Sequence, residues 1–441
     1  MTAAAQAELS NRRILKVAVP VVLSNATVPI LGIVDTGVVG QLGEAAPIAA
    51  VGAGAVILSA IYWIFGFLRM GTTGLAAQAL GAGDRAEVVA LLTRALLIAA
   101  AAGAVLIALQ WAIFAAAFHA APTAPETEAL ARTYMAIRIW SSPAAIAVYG
   151  ITGWLIAQER TAAVLVVQVA MNGANILLDL WFVLGLDLGV AGVGWATFIA
   201  EWSGAAIGLW FCRDAFRSPA WRDGRQVFDA PRLRRMVAVN GDIMIRSILL
   251  QITFTSFLLT GGVFGTVTLA ANQVLLQFLY VTSYAMDGFA FAAEALVGRF
   301  FGARDRSRLR RAVMLCALWG LGTVAALSLA FALGGGWIVD TMAKAPEVRA
   351  AARAYLPWMV AAPLIGCAAW MLDGVFIGAT RTADMRNMMI LSFLAYLGAL
   401  VLLVPLMGNH GLWAALMVSF AARGITLGWR YPALERATTD A

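Results

Sequence analysis

Long apolar stretches are the feature that most constrains what this chain can fold into. The sequence contains twelve of them, each close to the roughly 20 residues that an α-helix needs to cross a bilayer. They cover residues 15–39, 47–75, 88–117, 129–153, 161–185, 189–212, 236–261, 266–293, 311–335, 352–377, 386–407 and 411–429. The composition agrees, because only 12% of the residues are charged, against about 25% in a soluble domain. We therefore predict an all-α integral membrane protein with twelve transmembrane helices.

Basic residues predict the orientation of the chain. Lys and Arg concentrate in the two tails and in alternate loops, for example in RFFGARDRSRLRR at 299–311. Only four basic residues lie near the other set of loops: Arg132, Lys344, Arg349 and Arg353. Because cytoplasmic loops carry the excess of Lys and Arg, we expect both termini in the cytoplasm. The net charge of +7 then reflects loops that face anionic membrane lipid, and no nucleic-acid partner is expected.

Two pairs of motifs indicate an internal repeat. GWLIAQERTA at 153–162 is similar to GVFIGATRTA at 374–383, and GAGDR at 81–85 is similar to GARDR at 302–306, both at an offset of 221 residues. Each repeat would contain six spans, an even number, so both copies enter the membrane in the same sense. The sequence therefore predicts two six-helix lobes related by a pseudo-two-fold axis along the membrane normal.

The repeat also predicts the domain boundaries. The N-lobe would cover residues 1–212, a basic cytoplasmic linker 213–235, and the C-lobe 236–441. Transporters built from such repeats carry their substrates between the lobes, with access that alternates between the two sides of the membrane. We expect a central path of this kind, in a protein that works as a monomer.

Three acidic residues lie inside the predicted spans of the N-lobe, namely Asp35, Asp179 and Glu201. An ionisable group in a span costs about 2.5–3.5 kcal/mol of insertion free energy, so each of these acids is expected to have a structural or functional role. Asp35 and Asp179 lie about 19 residues from the cytoplasmic starts of two outward-running spans, which at about 1.5 Å per residue gives them a similar depth. Thr197 reaches about the same level in an inward-running span. Glu201 is either a third cavity acid or a structural one with its own partner.

The fifth span carries a polar stripe. Gln168, Asn172, Asn175 and Asp179 are spaced by four, three and four residues, which places them on one helical face. Such a stripe either joins helices by hydrogen bonds or lines a cavity, and the carboxylate at its end favours the cavity. No Lys or Arg of the N-lobe spans is expected at this depth.

Asp35 is expected to act as a proton-controlled switch. Pro29 removes a backbone hydrogen bond from the first helix, and it is the predicted conformational hinge. Protonation would cancel the charge of Asp35 and change the local packing. Two carboxylates in one poorly solvated pocket resist double ionisation, so that one of them would readily hold a proton. In the alternative interpretation, Asp35 only hydrogen-bonds a neighbouring helix.

The repeat does not carry this pair of acids into the C-lobe. Asp35 aligns with Phe257 at an offset of 222, and Asp179 aligns with Leu400 at an offset of 221. The predicted ion site therefore belongs to the N-lobe.

The C-lobe has its own intramembrane acids, toward the cytoplasmic ends of its spans: Asp242, Asp287, Glu294 and Asp373. Asp242 is predicted to form an ion pair with Arg246, because the two lie four residues apart on one helix. Asp287 and Asp373 either pair with loop arginines as an inner gate or bind a cationic substrate.

Three motifs resemble those of the multidrug and toxic compound extrusion (MATE) transporters, and within them the bacterial DinF-like branch. These are VPILGIVDTGVVGQLG at 28–43, AMDGFAFAAEALVGRFFGARD at 285–305 and DGVFIGATRTADMRN at 373–387. The resemblance extends over essentially the whole chain. It implies cation-coupled efflux of amphiphilic, often cationic compounds by alternating access, in the bacterial inner membrane.

The resemblance also implies the coupling residues. In that family an Asp on the first helix, an Asn and an Asp on the fifth and a Thr on the sixth form the coupling site, and they fall on Asp35, Asn175, Asp179 and Thr197. Both a proton and Na⁺ could use these groups, and the DinF-like branch favours the proton. No cofactor is expected, and an ion gradient would supply the energy.

Two other functions fit the sequence less well. A lipid-precursor flippase of the same superfamily should line its cavity with basic residues, whereas the intramembrane charge here is mainly acidic. An intramembrane aspartyl enzyme would need Asp35 and Asp179 as a catalytic dyad, which suits a twelve-span repeat poorly. His119 and His410 lie in or beside outward loops, away from any metal-binding helix pattern. We therefore expect a transporter and no enzyme.

Overall fold

The computed structural model describes residues 9–41 and 44–440, except for the side chains of 30–33, 35, 36 and 440. In these ranges all regular secondary structure is helical. The first half of the chain contains the helices α1 (Asn11–Gly40), α2 (Ala45–Gly81), α3 (Arg85–Ala108), α4 (Pro125–Ala157), α5 (Thr161–Gly185) and α6 (Gly189–Phe211). The second half contains α7 (Ala230–Val263), α8 (Thr266–Gly302), α9 (Arg306–Met342), α10 (Pro346–Gly378), α11 (Thr382–Met407) and α12 (Asn409–Asp440).

The prediction of an all-α membrane protein with twelve long helices is confirmed. Ten helices of the described residues are long and apolar enough to cross a membrane, and α1 and α6 complete the twelve. Several helices are longer than the apolar stretches that predicted them. The stretch at 266–293 is only part of α8, which continues to Gly302, and 311–335 is only the centre of α9. Hydropathy marks the part of a helix that suits hydrocarbon, whereas backbone hydrogen bonding continues into the polar ends.

Several helices in the first half are not uniform. A turn at Phe65 and Gly66 interrupts α2, and a short 3₁₀ segment at Ile139–Ser141 lies inside α4. The last six residues of α5, Leu180–Gly185, form a π-helix. Segments of π-helix occur often at functional sites, because they re-aim the side chains around them.

The turns between helices repeat at the offset that the motifs predicted. Left-handed backbone occurs at Glu159, with φ 61°, and at Thr380, with φ 49°, which are 221 residues apart. In both turns the amide of that residue bonds to the carbonyl three residues earlier, from Glu159 to Ile156 at 2.8 Å and from Thr380 to Ile377 at 2.9 Å. A left-handed residue after the last helical turn is a common way to end a helix. The motifs at 153–162 and 374–383 therefore share structure as well as sequence.

The GAGDR and GARDR motifs also form equivalent turns with a left-handed residue. Gly83 has φ 80° and Arg304 has φ 56°, and each directly precedes an aspartate that caps the next helix. Asp84 accepts a hydrogen bond from the Glu87 amide at 3.0 Å, and Asp305 accepts one from the Arg308 amide at 2.9 Å. Such side-chain caps satisfy amides that the first turn of a helix leaves without partners.

Close helix crossings are a third feature that the two halves share. A Cβ atom built on Gly374 of α10 would lie 2.6 Å from the carbonyl oxygen of Ala290 on α8. At the equivalent crossing in the first half, a Cβ on Gly153 would lie 2.3 Å from the carbonyl oxygen of Arg69. Glycine lets two backbones approach this closely inside a membrane protein.

The chain divides into two compact units. One contains Leu23–Ala76 and Asp84–Arg234, and its core includes Tyr62, Phe114 and Met135. The other contains the start of α1 up to Val22, Ala77–Gly83 and the chain from Arg235, and its core includes Phe257, Trp413 and Phe420. The predicted boundaries of the N-lobe, linker and C-lobe stay a prediction.

Candidate functional site

The polar stripe of α5 forms a series of hydrogen bonds along one face of the helix. Gln168 Nε2 donates to Asn172 Oδ1 at 3.0 Å, and Asn172 Nδ2 donates to Thr27 Oγ1 on α1 at 2.8 Å. One turn further on, Asn175 Nδ2 donates to Asp179 Oδ2 at 2.7 Å. The stripe therefore has both of the predicted roles: Asn172 joins two helices by a hydrogen bond, and Asn172 and Asn175 line a cavity.

This cavity, called the polar cavity below, has a volume of about 330 Å³ and lies within the unit that contains α5 and α6. Its polar lining consists of Ser59, Tyr134, Arg138, Asn172, Asn175, Thr197 and Glu201. Val28, Val51 and Met171 belong to its apolar wall. Asn175 and Thr197, which the family resemblance assigned to the coupling site, thus line one cavity.

Asp179 is fully buried next to this wall. Its side chain has 0% exposure and is bound to Asn175, and the π-helical segment of α5 begins one residue later. Asn175 thus connects the polar cavity with a buried carboxylate. Pro29 and Asp35 both lie on α1, and the side chain of Asp35 is outside the described residues, so its predicted pairing with Asp179 stays a prediction.

The expectation that the N-lobe spans have no basic group at this depth is wrong. Arg138 of α4 lines the polar cavity, and its Nη2 lies 3.1 Å from Glu201 Oε1. Arg138 Nη1 also donates to the hydroxyl of Tyr134 at 2.9 Å, and Ser141 donates to the second carboxylate oxygen of Glu201. Burial explains the pair, because a charge with little access to water needs both an opposite charge and hydrogen bonds. Glu201 therefore lines the cavity and also has a partner.

The sequence carried a signal for Arg138. It lies nine residues from the outer start of the predicted span 129–153, and Thr197 lies eight residues from the outer start of 189–212. Arg138 and Thr197 therefore have a similar depth by residue count alone.

The predicted ion pair between Asp242 and Arg246 is also wrong. Asp242 Oδ1 instead lies 2.5 Å from Arg386 Nη1, and its other oxygen accepts from Thr382 Oγ1 at 3.0 Å. Arg246 pairs with Asp373 of α10. Both residues of the predicted pair have better partners on other helices, and spacing along α7 could not reveal those partners.

Asp373 has two basic partners, because Arg423 Nε of α12 lies 3.8 Å from its Oδ2 in addition to the bond with Arg246. Both arginines lie within helices, so the partners of Asp373 are not the loop arginines that the sequence predicted for a gate. Glu294 is buried with 2% exposure on α8, where a Cβ on Gly378 would lie 2.5 Å from its carbonyl oxygen. Asp287 is half-buried on α8, and both interpretations of its role stay open.

The chain matches the MatE family over residues 20–181 and 243–403. It is 38% identical to DNA damage-inducible protein F of Escherichia coli strain K12 over 434 residues, which cover 96% of this chain and 92% of that protein. It is 30% identical over 340 residues to a protein of Bradyrhizobium diazoefficiens named "Probable multidrug resistance protein NorM", over 73% of this chain and 70% of that protein.

The fold is that of solved MATE transporters. The bent form of the Vibrio cholerae MATE transporter VcmN superposes with a TM-score of 0.86 at 20% identity, over 97% of each chain. The match to the family covers both halves of the chain, in agreement with the three motifs and the repeat. The chain therefore belongs to the MatE family, a family of membrane transporters rather than enzymes.

Proposed function

We propose that this protein exports amphiphilic, cationic compounds across the bacterial inner membrane in exchange for protons. The relatives support export of drugs, because the Bradyrhizobium diazoefficiens protein is named for multidrug resistance. The similarity to DNA damage-inducible protein F supports the DinF-like branch. Proton coupling is what the resemblance to that branch implies. In this proposal the protein is a monomer with both termini in the cytoplasm, and Na⁺ is the alternative ion.

The observation that carries the proposal is the bond between Asn175 and Asp179. Asn175 lines the polar cavity together with Thr197, while Asp179 is buried behind it at the start of the π-helical segment. As a carboxylate, Asp179 accepts the amide N–H of Asn175 through Oδ2. A proton on that oxygen would cancel the charge and turn an acceptor into a donor, so the bond would have to rearrange. Protonation would thus change the packing at the end of α5.

Asp35 has the second role in this proposal. It shares the site with Asp179 from α1, whose Pro29 would act as the hinge. Thr27 of the same helix is bound to Asn172, so a movement at the end of α5 would be transmitted to α1 as well. Proton binding would favour one conformation of α1 and proton release the other, which is what alternating access requires.

The expected substrate class follows from charge and surface chemistry. In this proposal the charges of Asp35 and Asp179 attract cations, and the aromatic ring of Tyr134 and the thioether of Met171 in the cavity wall suit flat, lipophilic molecules. Ethidium is a convenient probe with these properties.

The test is ethidium transport into inverted membrane vesicles whose lumen is made acidic or, separately, loaded with Na⁺. Wild type, Asp35→Asn and Asp179→Asn are compared at equal amounts of protein in the membrane. Asp187→Asn is the matched control, because Asp187 is an exposed acid in the loop after α5. We expect an acidic lumen to drive transport by wild type and Asp187→Asn, and neither of the other variants to respond. Wild-type transport by both site variants would contradict the proposed coupling site, and dependence on Na⁺ alone would contradict proton coupling.

A further inference from the structure

Arg138 is a fixed cation in the wall of the polar cavity. Its guanidinium is bound to Glu201 Oε1 at 3.1 Å and to the hydroxyl of Tyr134 at 2.9 Å, and its side chain is only 12% exposed. Tyr62 and Tyr134 also pack against it, with their ring centroids 5.9 and 5.8 Å from the central guanidinium carbon. An arginine does not lose its charge at any physiological pH, so the cavity always contains this positive charge.

Arg138 removes Glu201 from the groups that could hold an ion. One carboxylate oxygen of Glu201 is bound to Arg138, and the other accepts from Ser141. Thr197 donates its hydroxyl to the carbonyl oxygen of Val193 at 3.0 Å, which leaves the Thr197 oxygen as an acceptor only. The negative charge of Glu201 is therefore neutralised by Arg138 within the polar cavity.

We propose that Arg138 is the residue that makes this site select protons over Na⁺. The inference rests on the proposed function, in which a proton is the coupling ion. A hard metal cation needs several oxygen ligands at the same time, whereas a proton needs one carboxylate oxygen. Arg138 takes one carboxylate out of the possible ligand set, so fewer oxygen ligands remain for Na⁺ in this cavity. A proton that binds covalently to Asp179 or Asp35 does not need that set of ligands.

The proposal makes Glu201 the latent Na⁺ ligand. If Arg138 is replaced by a neutral residue, Glu201 becomes a free carboxylate that faces the same cavity as Asn175 and Thr197. Carboxylate, amide and hydroxyl oxygens would then surround one space, which is the kind of ligand set that hard cations prefer. Removal of Glu201 as well should abolish the acquired site.

The experiment uses purified full-length protein in proteoliposomes, with four variants: wild type, Arg138→Gln, Arg138→Lys and Arg138→Gln/Glu201→Gln. Ethidium transport is measured with an imposed pH gradient and, separately, with an imposed Na⁺ gradient. Binding of Na⁺ is measured independently, as the rise in Tm of the detergent-solubilised protein on addition of NaCl relative to choline chloride. We expect Na⁺ to bind to and to stimulate only Arg138→Gln, with transport at least about tenfold above the choline control.

The two control variants separate charge from structure. Arg138→Lys keeps the positive charge and should stay insensitive to Na⁺. Arg138→Gln leaves Glu201 without its buried partner and could lose stability, whereas the double variant restores neutrality. If Arg138→Gln does not fold, Arg138→Ala and Arg138→Met replace it in the same comparison.

The outcomes distinguish this inference from the proposed function. A folded Arg138→Gln protein that is driven by protons and does not bind Na⁺ would overturn the role of Arg138 and leave proton coupling intact. A Na⁺ response in the double variant would also overturn it, because Glu201 would not be the ligand. A wild-type protein that is not driven by a pH gradient would contradict proton coupling, and the Na⁺-binding measurement would still decide whether Arg138 excludes that ion.

Discussion

At the scale of single residues, some buried charges in the described helices are held by partners from other helices. Asp373 shows this most clearly, since it has 5% exposure and two arginine partners with 7% and 3% exposure. The cluster has one negative and two positive charges, so Asp373 is what allows Arg246 and Arg423 to be buried. We infer a structural role for it, in addition to any role in transport.

The Asp373→Asn variant tests this role. Loss of its charge leaves two buried guanidinium groups without a counter-charge, and breaking such a buried pair costs about 3–5 kcal/mol of unfolding free energy. We expect a large fall in Tm in detergent. Asp340→Asn is the control, because Asp340 pairs with Arg353 at the surface, and a surface pair contributes little. A similar Tm for both variants would contradict the structural role.

Residue spacing in the sequence predicted contacts within one helix and missed those between helices. The stripe from Gln168 to Asp179 was predictable, because helical geometry alone places these residues on one face. The pairs of Arg138 with Glu201 and of Arg246 with Asp373 join residues 63 and 127 positions apart, which no local pattern encodes. The wrong prediction for Asp242 has the same cause, since i,i+4 spacing permits a pair but does not exclude a better partner.

At the scale of helices, glycine positions control how closely α8 and α10 approach. A Cβ on Gly378 would lie 2.5 Å from the carbonyl oxygen of Glu294, whereas a Cβ on Gly398 of α11 would meet no atom within 4 Å. The same Gly→Ala change should therefore lower the stability at position 378 and raise it at position 398.

Thermal unfolding in detergent can measure this difference. Gly378→Ala must push two backbones apart, and we expect it to lose about 1–3 kcal/mol, the usual cost of overpacking. Gly398→Ala should gain about 0.4–1 kcal/mol, because alanine restricts the unfolded chain and meets no clash. Equal Tm values for the two variants would show that α8 and α10 do not cross as closely as described.

The turn that precedes α3 makes a second prediction at this scale. Gly83 has φ 80° and open space around its Cα atom, so only backbone strain should oppose a side chain there. Gly83→Ala should cost about 1–2 kcal/mol, the penalty of the left-handed conformation for an L-residue. Arg304 occupies the equivalent position of the second half with φ 56°, and Arg304→Gly should relieve the same strain and raise Tm. An unchanged Tm for Gly83→Ala would contradict the left-handed turn.

At the scale of the whole molecule, the repeat was the most informative feature of the sequence. Two short motif pairs gave the offset of 221 residues, and the same offset recurs in left-handed turns, aspartate caps and glycine crossings. The intramembrane acid Asp35 is not repeated, because the residue that aligns with it, at an offset of 222, is Phe257, a fully buried core residue. Fold and function therefore separate along the chain: the turns and crossings are repeated, whereas the candidate ion site belongs to one half.

The orientation of the chain is the last prediction, and it follows from the distribution of positive charge. The loop between α8 and α9 belongs to the basic set and should face the cytoplasm, whereas the loop between α9 and α10 should face outward. Ser307 and Lys344 are exposed residues at these two loops, so Ser307→Cys and Lys344→Cys provide one reporter each. The native thiols of Cys212, Cys316 and Cys367 are buried, which keeps the background low.

Labelling of intact cells with a membrane-impermeant maleimide is the measurement. Lys344→Cys should react at once, Ser307→Cys only after the membrane is permeabilised, and wild type in neither condition. The opposite pattern would mean that the basic loops face outward, and Asp35 and Asp179 would then lie in the cytoplasmic half of the membrane. In that case protons would reach the polar cavity from the cytoplasm by the shorter route, so this result also decides from which side the coupling site is loaded.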